Sequence, residues 1–388
     1  AVLFFSLLLT VAIGPLLGGV LLAHFWWGAG FLVAVPMAVL VLLAAPQLLP
    51  EQRAQASRRL DLVSVFLSLV ALLPAIYAMK EMARGGAMAP ALLALLLAGL
   101  CAVAFVRRQR SLADPLLDLR LFASPGLAAA LIVLLFGLVA VAGMLLMVSQ
   151  YLQLVAGLSP LRAGLWMAPP ALAMVGAGIG APLLARRIRP GSVVSAALLL
   201  STSGYLLLWW AAGPGMLAQA GDGRDAIHWI AAGFSLAYLG LGTIAALGTE
   251  LVVGAAPADK AGSASALSET AQELGVALGV ASLGSLATMV YRRMLVGQLP
   301  DNLAEPAARA LGDSLWAASA FVAEVPAVVL EHARQAFMAG FALTALICAV
   351  LAGVLAAMAA YSLRRIGRTG SAPVAEPVRA VPCTDGRA

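Results

Sequence analysis

The chain has 388 residues, of which 62% are hydrophobic and 11% are charged, and its mean hydropathy is +0.98. Soluble domains have about 25% charged residues, so this composition excludes a water-soluble enzyme, a disordered protein and a nucleic-acid-binding module. The formal charge of +6 arises from basic residues in short clusters between long apolar runs, a pattern that indicates membrane topology. The three cysteines and three histidines are not spaced as a disulfide framework or a metal site, so we expect no metal and no cofactor.

Ten segments are long enough to cross a bilayer, which takes about 20 predominantly apolar residues. In chain order they cover residues 1–23, 28–49, 61–82, 88–106, 126–152, 162–185, 191–212, 228–254, 262–291 and 335–363. The sequence therefore predicts an all-α integral membrane protein with about ten transmembrane helices. Residues 364–388 are rich in Pro and Ala, and this composition predicts a disordered tail.

The distribution of basic residues predicts which side of the membrane each loop occupies. If the first span runs outward, 16 of the 24 Lys and Arg residues fall on the cytoplasmic side, as the positive-inside rule requires. We therefore expect both ends of this chain to be cytoplasmic, in the plasma (inner) membrane. The one sizeable non-cytoplasmic segment, residues 292–334, is predicted to be a surface hairpin or short helix, and we assign it no function.

The first span contains a Gly-Pro-x-x-Gly-Gly motif formed by Gly14, Pro15, Gly18 and Gly19. Proline kinks a helix and glycines let a neighbour approach closely, so this helix could form a tight, pivoting seal. Ordinary helix packing is the alternative, because Gly and Pro are frequent in transmembrane helices. The chain begins at Ala1 inside this span, without the basic region or cleavage site of a signal peptide. We therefore expect the natural N-terminus to lie further upstream.

The sixth span, residues 162–185, is rich in glycine and proline. The residues concerned are Gly164, Pro169, Pro170, Gly176, Gly178, Gly180 and Pro182. This density predicts a broken or strongly bent helix, which is tolerated where a neighbour or cavity satisfies the backbone. We expect Pro169, Pro170, Gly176 and Gly180 to shape helix packing. Arg186, Arg187 and Arg189 follow the span, and their simplest interpretation is as positive-inside anchors.

Glu269 and Glu273 are the only acidic residues placed well inside an apolar segment, and their spacing puts them on one helix face. If the ninth span begins near Gly262, a rise of about 1.5 Å per residue puts Glu273 about 16 Å deep and Glu269 about 10 Å deep. Intramembrane carboxylates normally face a partner or a water-filled cavity, and such a group can release a proton when a cation approaches. The alternative is a later start of the span, which leaves Glu269 as an interfacial cap.

The same helix carries Gly275 and Gly279, four residues apart. Small residues at this spacing let two transmembrane helices come into close contact. We therefore expect these two glycines to serve helix packing.

Several stretches of the sequence resemble one transporter family. GPLLGG in an outward-running helix resembles the antiporter motif in the fifth helix of drug:proton antiporters of the major facilitator superfamily. Further stretches are similar to its fourteen-helix branch, the QacA, SmvA and EmrB type: HFWWGAGFLVAVPMAVLVLLAAPQLLPE, ADPLLDLRLF, YLQLVAGLSPLRAGLWMAPPAL and PADKAGSASALSETAQELGVALGVASLGSLATMVYRR. They cover most of the chain in order. One departure is Thr10, where the extended motif usually has a glycine, and this loosens the packing inference.

The resemblance implies a domain organisation. If the first span is the family's fifth helix, the ten spans are helices five to fourteen of an expected fourteen, and helices one to four are missing. Residues 1–49 are then the last two helices of the N-terminal bundle, and 61–106 are two inserted central helices. Residues 126–363 form the C-terminal six-helix bundle with the loop 292–334, and 364–388 are the cytoplasmic tail. The resemblance also implies that the sixth span faces the GPxxGG helix, and that the arginines after it are the counterpart of a basic cytoplasmic loop.

The function that the resemblance implies is proton-coupled efflux of lipophilic or cationic drugs by alternating access. Glu273, with Glu269, then serves proton coupling or substrate recognition, and the GPxxGG helix seals the interface. The implied partners are a small-molecule substrate, protons and the lipid bilayer, without nucleic acid, and we expect a monomer. The sequence has no Walker, HExxH or GxSxG signature, so we predict no enzyme. Two alternatives stay open: an exporter of an endogenous metabolite, antibiotic or lipid in the same family, and a non-transporting truncated membrane protein.

Overall fold

The computed structural model describes residues 14, 17–21, 24–26, 28–32, 34–48, 61–112, 115, 117, 124–213, 224–255, 261–295, 303–321 and 324–363. These residues form helices and turns, without a β-strand among them. Eight of the described helices are long and apolar enough to cross a membrane, so the predicted all-α membrane architecture is confirmed. Most of the first predicted span and the predicted tail lie outside the described residues.

The described helices follow the predicted spans closely. They are α1 (Ala29–Leu32), α2 (Ala34–Leu48), α3 (Leu62–Ala83), α4 (Met88–Ser111), α5 (Pro125–Gln150), α6 (Pro160–Trp166), α7 (Ala168–Ala185), α8 (Pro190–Ala211), α9 (Arg224–Ala255), α10 (Ala261–Leu295), α11 (Glu305–Asp313), α12 (Leu315–Ala318) and α13 (Ala327–Ser362). Helices α6 and α7 together make up the sixth predicted span. The agreement follows from length, because a run of about 20 apolar residues satisfies its own backbone in lipid only as a helix.

A polar network around Asp61 joins the consecutive helices α3 and α4 at one end. The Arg108 guanidinium donates to both carboxylate oxygens of Asp61, from Nε at 2.7 Å and from Nη2 at 2.9 Å. The buried Ser64 hydroxyl donates to the same carboxylate at 2.6 Å, and Gln109 donates to Ser64 at 2.7 Å. The side-chain oxygen of Gln109 accepts the backbone N–H of Leu117 at 3.0 Å. The network therefore also holds the segment that leads to α5.

This pairing predicts how the α3–α4 pair responds to acid. The Arg108 guanidinium holds the pKa of Asp61 well below its usual range. Such a carboxylate stabilises the fold at every pH above its unfolded pKa of about 3.9, and the contribution is lost as the pH falls through the lower folded value. We therefore expect Asp61→Asn to lower the unfolding temperature in detergent by a constant amount above about pH 5, and by a smaller amount below about pH 4. The matched change Glu81→Gln, on the same helix, is expected to leave this profile unaltered; a loss from Asp61→Asn that is equal at all pH values would contradict the prediction.

Helices α5 to α10 and α13 form one bundle around α5. Helix α5 packs against α9, α10 and α13, and α9 packs along both α7 and α8. The largest fully buried side chains in this bundle are aromatic, namely Tyr151, Tyr205, Phe234 and Phe341. Because buried aromatic side chains contribute strongly to core stability, this bundle is the stable body on which the candidate site is built.

Two glycines hold α10 directly against α5. A Cβ added to Gly275 would lie 2.5 Å from the carbonyl oxygen of Leu135, and one added to Gly279 would lie 2.4 Å from that of Val139. Real Cβ atoms essentially never approach another heavy atom to less than 3.0 Å. The two backbones are therefore closer than a larger residue would permit, and this contact fixes the rotation of α10 about its axis.

We expect Gly279→Ala to destabilise the bundle by about 1–3 kcal/mol, because the added methyl group forces α10 away from α5. Gly262→Ala adds the same group to the same helix at a position with no described atom within 4 Å, so it is expected to be neutral or slightly stabilising through helix propensity. Thermal unfolding can be followed by dye labelling of the buried Cys348, in a background without Cys101 and Cys383. Equal unfolding temperatures for the two variants would contradict the prediction.

The sixth predicted span is interrupted at Met167, where α6 ends and α7 begins. Pro169 and Pro170 lie in the first turn of α7, where a proline replaces an N–H that has no helical partner. Before α6, the chain leaves α5 through a π-helical turn, Tyr151–Val155, and Gly157 then adopts a φ of +65°. The predicted break is thus present, and the two prolines explain why the new helix starts where it does.

Residues 303–321 form α11 and α12, two short helices that cover one end of the bundle; we call them the cap. Leu311 is fully buried, and the Tyr291 hydroxyl at the end of α10 donates to the Leu311 carbonyl at 2.8 Å.

Helix α13 begins at Ala327, eight residues before the predicted start at 335. The predicted start lies too far along the chain because polar residues near Ala327 interrupt the apolar run. A helix that extends beyond the bilayer tolerates charge on its exposed turns.

Candidate functional site

Glu269 and Glu273 lie on one exposed face of α10, as their spacing predicts. Thr270, Val276 and Ala277 are exposed on the same face. At about 3.6 residues per turn, these five side chains fall within a single sector of the helix; we call it the acidic face. It is an open, otherwise mostly apolar surface that carries two carboxylates.

The contact with α5 determines the direction of the acidic face. Gly275 is two positions from Glu273 and so lies on the opposite side of the helix, where it meets the backbone of α5. Any rotation of α10 that brought the carboxylates inward would break this glycine contact. The sequence therefore turns both acids away from the bundle interior.

Nearer the cap, α13 and the cap cover the side of α10 that carries Glu269 and Glu273. Ala287 and Tyr291 continue the line of Glu273 along the helix, and both are buried. A Cβ added to Gly340 of α13 would lie 2.9 Å from the Ala287 carbonyl oxygen, and Tyr291 bonds to the cap. The acidic face is therefore open at the end of α10 nearest Ala261 and closed at the end nearest the cap.

Neither Glu269 nor Glu273 has a hydrogen bond or an ion pair through its carboxylate within the described ranges. Asp61 differs, since it accepts from both Arg108 and Ser64. A carboxylate without a polar partner, in a helix long enough to cross a membrane, is available to a proton or to a cation. Among the described residues, no group of three or more His, Cys, Asp or Glu could hold a metal ion.

The GPxxGG motif reaches the bundle through one of its glycines. A Cβ added to Gly19 would lie 2.9 Å from the Pro160 carbonyl oxygen and 3.1 Å from Cα of Leu161, at the start of α6. The corresponding positions at Gly14 and Gly18 have no described atom within 4 Å, and Pro15 lies outside the described residues. The structure therefore places Gly19 of the motif against the start of α6.

The other predicted positions of the sixth span lie on an open surface. No described atom lies within 4 Å of a Cβ added to Gly176 or Gly180, so the packing contact expected for them is not found in the described part of the chain. Arg186, Arg187 and Arg189 are exposed in the turn between α7 and α8. The structure does not bring them near the acidic face by any contact that it describes.

Two features were not predicted from the sequence. The Asp61–Arg108 pair had a usable signal, namely opposite charges at the adjoining ends of two consecutive spans. The π-helical turn Tyr151–Val155 had none, because its apolar residues fit an ordinary helix equally well. Such turns are rare and often occur at functional sites, and this one lies directly before the α6 start that Gly19 contacts.

A family profile described as Major Facilitator Superfamily matches residues 1–280, most of the chain. The chain belongs to the major facilitator superfamily. It is therefore a multi-pass membrane transporter and not an enzyme. The family resemblance inferred from the motifs is confirmed.

Three relatives are similar to most of this chain. The multidrug efflux pump LfrA of Mycolicibacterium smegmatis is 36% identical over 91% of this chain and 69% of its own length. The methyl viologen resistance protein SmvA of Salmonella typhimurium is 30% identical over 84% and 65%, respectively. The tetracenomycin C resistance and export protein of Streptomyces glaucescens is 30% identical over 96% and 69%. The chain thus spans about two thirds of the length of these relatives.

Proposed function

We propose that this transporter exports lipophilic or cationic drugs across the plasma membrane in exchange for protons. The observation that carries the proposal is the acidic face, where Glu269 and Glu273 are exposed and have no polar partner among the described residues. Relatives named as a multidrug efflux pump and as a methyl viologen resistance protein support drug efflux as the activity. Carboxylates favour cationic substrates, because a nearby positive charge stabilises their ionised form.

The length of α10 supports a position of Glu273 inside the membrane. The apolar span Gly262–Leu295 has 34 residues and is about 51 Å long, whereas the hydrocarbon core of a bilayer is about 30 Å thick. Because the Tyr291 hydroxyl donates a hydrogen bond to the Leu311 carbonyl of the cap, much of the excess length of α10 lies at the cap end. Glu273 then falls within the hydrocarbon region, and Glu269 falls nearer its boundary.

In the proposed cycle, the acidic face exchanges a proton for the drug. Glu273 loses its proton to the cytoplasm as a cationic drug binds from that side. After the bundles rock to the outward-open state, Glu273 is reprotonated from outside and the drug leaves. One proton enters for each such exchange at this carboxylate, and Gly19 against α6 helps to seal the interface between the bundles.

We propose the orientation in which both ends of this chain are cytoplasmic. The open end of the acidic face then points to the cytoplasm and the cap lies outside, which is the arrangement needed to load a drug for export. In the same proposal, residues 1–49 belong to the N-terminal bundle, 61–106 are the inserted pair and 126–363 form the C-terminal bundle. We also propose that the protein acts as a monomer, an arrangement in which the single copy carries its own acidic face.

A second candidate is export of a metabolite, antibiotic or lipid that the host cell makes. The relative named as a tetracenomycin C resistance and export protein, which aligns with 96% of this chain, favours it. The acidic face and the Gly19 contact would serve this exporter in the same way. Only the substrate would differ.

Ethidium uptake into inverted membrane vesicles tests the first proposal. The protein is expressed from its complete reading frame, and uptake is measured with an imposed pH gradient and after nigericin has removed it. Uptake that depends on the gradient is the expected result. A folded, well-expressed protein that takes up no ethidium under either condition would overturn drug efflux and favour the second candidate.

A further inference from the structure

An open groove runs between α7 and α8, on the surface of the bundle. Both helices pack along α9 but contact each other only slightly, so a space of about 740 Å³ is left between them. Its lining is apolar apart from Arg186, Arg187 and Thr243, and it includes Ala177 and Gly180 of α7. This volume is in the range of small-molecule sites in proteins.

The groove has the length of one leaflet of a bilayer. From Arg186 at its mouth to Ala177 it extends over nine residues of α7, or about 14 Å. Half of a hydrocarbon core is about 15 Å thick. Ile179 and Leu199, which are 44% and 57% exposed beside the groove, show that the surrounding surface is apolar as well. Such a groove suits an acyl chain that lies parallel to the helices.

The mouth of the groove is positively charged. Arg186 and Arg187 are both exposed there, and neither forms an ion pair with an acidic residue in the described ranges. In the orientation proposed above this mouth is cytoplasmic, and basic pockets on that side of a membrane attract anionic lipid headgroups. A cationic drug would be repelled from this mouth by the same two charges, which argues for an anionic occupant.

We propose that the groove is a binding site for one anionic phospholipid, with an acyl chain in the groove and the phosphate at Arg186 and Arg187. The apolar lining accounts for the chain, the two arginines account for the phosphate, and the length matches a single leaflet. Gly180 provides the room, because no described atom lies within 4 Å of a Cβ added there. The site is separate from the acidic face, and binding can be measured without transport.

Native mass spectrometry of the purified protein in detergent tests this site. Dioleoylphosphatidylglycerol and dioleoylphosphatidylcholine are titrated separately, and inorganic phosphate is added as a competitor. We expect one saturable site for phosphatidylglycerol per protein. Phosphatidylglycerol should bind clearly better than phosphatidylcholine, and phosphate should not displace it. Equal binding of the two lipids, or displacement by phosphate, would overturn the proposal.

Two pairs of variants locate the lipid. Replacing both arginines, Arg186→Gln with Arg187→Gln, is expected to weaken binding about 30-fold, from roughly fivefold for each charge. The control removes the same charge from the end of α4, through Arg107→Gln with Arg110→Gln, and is expected to leave affinity unchanged.

The second pair fills the space itself. Gly180→Phe places a ring in the groove and is expected to abolish saturable binding. Gly176→Phe places the same ring one turn away on α7, also in open space but outside the groove lining, and is expected to bind lipid normally. Equal behaviour within either pair would place the lipid elsewhere and overturn the assignment.

Discussion

Glu273→Gln is expected to reduce gradient-driven ethidium accumulation to the level measured without a gradient. Glutamine has the shape of the protonated glutamic acid but cannot release a proton, so the proposed exchange of proton for drug would be blocked at this position. Glu273 is exposed on the acidic face and has no described polar partner that could take over the proton. Glu269→Gln, one turn nearer the end of α10, is expected to give a smaller loss because the proposed position in the membrane puts Glu269 closer to water.

A second measurement separates coupling from folding. Exchange of labelled for unlabelled ethidium across vesicles without a gradient needs no net proton movement. Glu273→Gln is therefore expected to retain it, at a higher ethidium concentration because the ionised carboxylate no longer attracts the cation. The control Glu250→Gln makes the same chemical change on α9, where the side chain is also exposed, and is expected to accumulate ethidium like the unaltered protein. Full gradient-driven accumulation by Glu273→Gln would remove this residue from the mechanism.

The positions of the helices could be predicted, because the membrane imposes a length on every apolar run. Their ends could not be predicted equally well. Helix α13 begins at Ala327 and α10 continues to Leu295, since both extend past the apolar core to meet the cap. Contacts outside the bilayer determine these extra turns, and hydropathy alone does not record such contacts.

The spacing of glycines alone does not predict which of them contact another helix. Gly176 and Gly180 have the same spacing as Gly275 and Gly279, yet only the second pair meets another helix among the described residues. The spacing defines a smooth helix face, but the neighbouring helix decides whether that face is used. The exposure of Glu269 and Glu273 could not be predicted from their spacing for the same reason, because it depends on which side of α10 contacts α5.

The GPxxGG motif also contains both kinds of glycine, since Gly19 contacts α6 and the other glycines have no described atom within 4 Å of an added Cβ. Substitutions at the two kinds of position can therefore be compared. Gly19→Val is expected to lower gradient-driven ethidium accumulation strongly and to speed the collapse of an imposed pH gradient. Any side chain at this position meets the Pro160 carbonyl oxygen, because even a Cβ would lie only 2.9 Å away. Overpacking of this kind costs about 1–3 kcal/mol, which corresponds to a roughly 5- to 150-fold loss of the sealed state.

Gly18→Val is the matched control for this contact. It places the same β-branched residue in the same predicted span, so the intrinsic cost to helix formation is equal. No described atom lies within 4 Å of its Cβ, and both accumulation and proton leak are therefore expected to stay close to those of the unaltered protein. If the two variants failed equally, the motif would act through the bend of its own helix. A failure of Gly19→Val alone would assign the seal to the approach of this helix to α6.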